Sequence, residues 1–202
     1  MTTAPRIDGW TVIGSIAALS LISVLILQPQ VNSDNILTAL RVSSATTAIP
    51  FLLLFALTPF DRAGTAAHRW LTGHRAEAWL ILTASHLVHL GQIGLYYRLG
   101  QTCPLTVWLI TIPVWLVMLA VTLVVLTRQQ LLAGGGSGGS RWAGALYAAG
   151  LWVVWLVFLL AFALGSAAGH LLAYNLPALV LFLAAALGWL LPPLRRVVAA
   201  GR

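Results

Sequence analysis

Residues 76–98, AEAWLILTASHLVHLGQIGLYYR, read as a membrane-spanning helix with two imidazoles in its middle, and the rest of the chain is read around them. His86 and His89 are three apart, so on a helix they share a face with Cβ atoms about 5–6 Å apart. Ionisable side chains at mid-membrane are rare and usually face a bundle interior, a water-filled cavity or a partner group. Neutral imidazole is a common metal ligand, haem iron included. The pair therefore points to a bound metal or haem at His86 and His89. The structural alternative is that the rings hydrogen-bond helix carbonyls, or Ser85, Thr83 and Gln92.

Working outward, 60% of the 202 residues are hydrophobic and 7% are charged, with a mean hydropathy of +0.94. Those values belong to an integral membrane protein. The net charge of +7 comes from arginines scattered among spans and short loops rather than gathered in a patch, which speaks for topology and against nucleic-acid binding. Cys103 stands alone, so an intrachain disulfide and a cysteine metal cluster are both excluded. The first apolar run, Trp10 to Leu27, lacks a small-residue cleavage site after it and reads as a retained span rather than a cleaved signal peptide.

A hydrocarbon core of about 30 Å takes about 20 helical residues to cross. Six segments reach that length, near 10–28, 36–58, 77–97, 105–127, 142–164 and 171–191. The expected fold is all-α, a single domain over 1–202 made of six transmembrane helices. Nine of the 11 basic residues fall on the N-terminal side of this arrangement, and only Arg41 and Arg98 fall on the other. The positive-inside rule then puts both termini in the cytoplasm and makes the chain a multi-pass protein of the inner (plasma) membrane.

Arg41 lies within about two turns of the non-cytoplasmic boundary. It either snorkels to the interface or neutralises an acidic group there, such as a haem propionate. Pro50 is expected to kink the second span. In the stretch between the second and third spans, His68 and His74 read as solvated residues of a basic loop. Trp70 and Trp79 read as an interfacial belt, and Glu77 as a partner of Arg75 or Arg69. The fourth span reads as scaffold. Residues 133–140, AGGGSGGS, read as a flexible loop, and the absence of a following Lys and Ser/Thr rules out a P-loop.

The fifth span contains no histidine. A haem held between helices needs a second axial ligand opposite the first. His170, in the short turn before the last span, is the remaining candidate and would have to dip inward to meet His89. In the last span Asn175 is expected to cap its own helix, and the small residues Ala184 to Ala186 and Gly188 suit close helix contact. Pro192-Pro193 and the basic tail are expected to end that helix.

RVSSATTAIPFLLLFALTPF, HRWLTGHRAEAWLILTASHLVHLGQIGLYYRLG and RWAGALYAAGLWVVWLVFLLAF together resemble the ferric reductase-like transmembrane domain family, which includes the haem-binding membrane subunit of the methionine sulfoxide reductase system. The resemblance runs from the second span to the fifth, and SHLVHL is its most specific part. It implies a bacterial six-helix bundle that binds b-type haem and passes electrons across the membrane, with a separate protein as electron donor or acceptor. The family's third-span histidine matches His86 or His89. Its later histidine falls at Leu146-Tyr147, and a further one within the apolar run Trp155 to Phe162. An alternative of the same fold is a haem-free partner subunit without catalytic activity.

Overall fold

The computed structural model describes residues 9–27, 30–61, 65–133, 138–169 and 172–200. In hydrocarbon every backbone N–H and C=O must be satisfied within the segment, which a helix does and an irregular chain does not. The described residues obey this. They form α1 (Gly9–Leu27), α2 (Ser33–Leu57), a single 3₁₀ turn (Thr58–Phe60), α3 (Ala66–Arg98), α4 (Leu105–Ala133), α5 (Gly138–Ala167) and α6 (Leu172–Ala200), with no strand among them. Five of these helices, α2 to α6, are long and apolar enough to cross a bilayer. The chain is an all-helical membrane protein.

The helix starts follow local chemistry. The Asn32 side chain accepts a hydrogen bond from the Asn35 amide at 2.8 Å, and the Thr65 hydroxyl accepts one from the His68 amide at 3.0 Å. Each satisfies a donor that the first helical turn leaves orphaned. The Thr65 cap corrects the expected loop. α3 begins at Ala66 rather than near residue 77 and runs for 33 residues, about 50 Å at the helical rise. That exceeds the hydrocarbon thickness, so its basic first turns extend beyond the core.

Two further boundaries move. α4 extends to Ala133 and α5 starts at Gly138, so both ends of the expected 133–140 loop are helical, and residues 134–137 lie outside the described residues. α6 continues through Pro192-Pro193 to Ala200. A proline removes its own donor and crowds the preceding turn, so it can bend a helix without ending it.

Helices α2, α3, α4, α5 and α6 form a ring in that order, closed by α6 against α2, while α1 packs outside α2 and α3. The interior is aromatic. Phe51 of α2 stacks on Phe158 of α5 at 5.5 Å and on Phe182 of α6 at 6.1 Å. The indole N–H of Trp155 donates to the Phe182 carbonyl at 3.0 Å, and that of Trp189 to the Phe55 carbonyl at 2.9 Å, tying helix pairs across the core. Trp79 is fully buried in this core and does not belong to an interfacial belt. Gly150 allows α5 to press onto α4, since a Cβ there would run into Val121. Leu109, Leu116 and Leu123, seven residues apart, form an exposed apolar stripe on α4, as a lipid-facing surface requires.

Candidate functional site: the histidine cleft

Both third-span histidines face a cleft between α3 and the α4–α5 pair. The His86 Nδ1 lies 2.9 Å from the Leu82 carbonyl one turn back. A carbonyl can only accept, so Nδ1 carries the proton and the Nε2 lone pair is left unshared. The His89 Nδ1 lies 2.9 Å from the Ser43 hydroxyl of α2. That hydroxyl directs its single proton to the Gln92 Oε1 at 2.6 Å or to the Leu40 carbonyl at 3.0 Å. It therefore accepts from His89, whose ring adopts the same tautomer. Among the described residues neither Nε2 has a hydrogen-bond partner. The helix-carbonyl and Gln92 contacts expected of a structural pair are thus present, with Ser43 as the intermediary.

Two chambers meet at His89. The first, of about 190 Å³, is lined by His86 and His89 of α3, Trp115 and Met118 of α4, and Val154 and Phe158 of α5. The second, of about 300 Å³, is lined by Arg41, His89, Phe162, Gly165 and Asn175. Ser44, His89 and Ala161 border both. α4, expected to be scaffold, supplies one wall. Asn175 lies inside α6, which already begins at Leu172, and not at its cap. It is buried, and a Cβ at Gly165 would come 2.7 Å from its Nδ2, so the glycine lets the amide lie against α5.

The donor chemistry suits one axial imidazole, and among the described residues no second imidazole faces it across the cleft. Both imidazoles belong to α3, and the facing wall is hydrocarbon: Val154, Val157, Phe158 and Ala161. Trp115 and Phe158 pack on His86 in T-shaped contacts with ring centroids at 5.7 and 6.0 Å. The first chamber is smaller than the roughly 300–1,000 Å³ of usual ligand pockets. Tyr147 of α5 lies away from the cleft, 6.1 Å from the Trp79 ring and beneath Arg75. His170 lies outside the described residues. Nor do the described residues contain a group of three His, Cys, Asp or Glu side chains able to hold a metal ion. Met118, a soft thioether beside the imidazoles, went unremarked in the sequence because an unbranched apolar residue is ordinary in a span.

A second polar cluster sits at the other end of the bundle. Asp61, just after the 3₁₀ turn, accepts from the Arg75 guanidinium and pairs with the His68 Nδ1 at 2.7 Å. Arg75 is 3% exposed and lies over the Tyr147 ring, 5.4 Å from its centroid. These contacts correct three expectations. His68 is part of an ion-pair cluster, Arg75 pairs with Asp61 instead of Glu77, and the stretch that holds them is helix. His74 is exposed and stacks on Trp70 at 5.1 Å. The signal was present in the periodicity: Arg75 falls on the same helical stripe as Leu71, Trp79 and Leu82, where a charge needs a partner.

No family model, no characterised protein and no solved structure matches this chain.

Proposed function

We propose that the chain is a six-span integral membrane subunit of ferric reductase-like architecture, with both termini cytoplasmic, that works by binding within the bilayer and does not clamp a haem between its helices. The observation that carries this reading is one-sided ligand geometry: His86 and His89 stand on one helix and face a hydrocarbon wall. α1, with 19 residues between Gly9 and Leu27, is long enough to be the sixth span at about 28 Å. An even number of spans returns the chain to the side it started from, as the arginine distribution requires.

A second reading rests on the unshared Nε2 atoms. His89 borders both chambers, and a five-coordinate b-type haem on that atom would supply one-electron chemistry, with a separate donor or acceptor protein. The chain's own part is then to hold the His89 tautomer through Ser43 and to keep bulk water from the site.

A reduced-minus-oxidised absorption spectrum of the purified protein, expressed with ample haem, separates the two. A folded, haem-free protein supports the binding subunit. A b-type signal that His89→Ala abolishes and His86→Ala spares overturns it and establishes the second reading.

A further inference from the structure

We propose that the second chamber, together with the groove beside it, binds one long-chain fatty acid, its carboxylate on Arg41 and its chain between α2 and α6. The inference rests on the reading of the chain as a binding subunit and names its ligand class. Arg41 is half-buried within a span and makes no ion pair or hydrogen bond among the described residues. A charge at that depth is costly unless something neutralises it. Among the described residues no carboxylate lines the chamber, and the other polar side chains around it are Ser44, His89 and Asn175. The compartment is therefore receptive to an anion.

The tail has its own place. A groove of about 250 Å³ lies between α2 and α6, bordered by Ile49 and Leu52 on one side and Pro177, Ala178 and Leu181 on the other, with almost no polar surface. Phe162 lines both the groove and the chamber, so head and tail sites adjoin across one ring. A free acid is the simplest occupant of a site with a cation beside an apolar groove, and competition with a phospholipid tests that choice. Arg41 comes eight residues after Ser33 at the start of α2, about 12 Å along the axis.

The test is equilibrium binding of radiolabelled palmitate to the full chain in non-ionic detergent micelles, with the haem spectrum recorded on the same samples. We expect saturable binding of one palmitate per chain. Hexadecanol, which keeps the chain and lacks the charge, should compete at least about tenfold more weakly, the loss of a charge-assisted hydrogen bond. Arg41→Gln should weaken palmitate by a similar factor while Arg41→Lys retains most of the binding, and Ala178→Phe, which fills the groove, should weaken palmitate and hexadecanol alike. Absence of saturable binding, or hexadecanol competing as well as palmitate, overturns the proposal without reliance on any variant. Dipalmitoylphosphatidylglycerol displacing palmitate at lower concentration gives the chamber to a phospholipid instead. A haem signal that Arg41→Gln shifts as palmitate binding disappears assigns Arg41 to a propionate and overturns both the proposal and the haem-free reading; loss of palmitate in a haem-free protein supports both.

Discussion

Replacing Asp61 by alanine should destabilise the bundle far more than an ordinary surface substitution, and a second substitution should reverse most of the loss. Arg75 is held at the head of the aromatic core, its side chain 4% exposed, and its carboxylate partner is 17% exposed. Removing one partner of a buried pair costs about 3–5 kcal/mol, because the other charge is stranded. Asp61 retains some contact with solvent, which puts the expected loss near the lower figure, about 3 kcal/mol. By the scale of soluble domains of this length, that lowers the melting temperature by roughly 6–12 °C. His68, 27% exposed on its side chain, is the weaker arm of the fork, and His68→Ala should cost no more than about 1 kcal/mol. The decisive comparison is Asp61→Ala with Arg75→Met added. The double variant carries no stranded charge and a side chain of similar length over Tyr147, so it should recover most of the lost stability. The assay is thermal unfolding in detergent followed by tryptophan fluorescence, which the buried Trp79 reports. An Asp61→Ala protein as stable as the parent, or a double variant no better than the single, would refute the account of Arg75 as a paired core residue.

Gly150→Leu forces a side chain into Val121 and should cost about 1–3 kcal/mol by overpacking; a melting temperature equal to the parent's would show that α4 and α5 are not in contact there. The hydroxyls of Thr83 and Thr122 meet at 2.7 Å between α3 and α4. Thr83→Val or Thr122→Val alone should cost about 1 kcal/mol, and the double variant less than the sum, as a thermal double-mutant cycle would detect. Cys103, the chain's one thiol, lies between α3 and α4 at the Arg98 end. A membrane-impermeant maleimide should label it in intact cells; labelling only after permeabilisation would invert the proposed topology.

The spans were legible because a bilayer imposes a length and a hydropathy on any helix that crosses it, and those survive in composition. Their ends were less so. The start of α3 is set by Thr65, a single capping hydroxyl, and the following HRWLTGHRAE looks like loop only when charge is taken to mean solvent. In a helix longer than the membrane is thick, charge marks the part that protrudes. The continuation of α6 through two prolines shows the same limit, since proline chemistry predicts a lost donor and not where the chain must stop.

The site separates what one residue discloses from what only packing can. A pair of histidines in a span announces a polar place, and their common face follows from their spacing. Whether they serve as ligands depends on what stands opposite, which the local sequence does not encode. Here α5 presents Val154, Phe158 and Ala161, so the imidazoles meet hydrocarbon, while Ser43 on α2 fixes the tautomer from behind. Arg41 tells the complementary story. Read along α2 it is an interfacial arginine; in the bundle it lines a chamber with Asn175, which reaches that position only because Gly165 on α5 has no side chain. The same stretch of α2 thus turns a hydroxyl toward one histidine and a cation toward a chamber beside an apolar groove. A chamber with a cation in its wall, joined to an apolar slot, suits molecules that are charged at one end and apolar at the other, and the bilayer supplies those at high local concentration. For that reason the proposed ligand site is placed at the Arg41 chamber and not at the histidine pair.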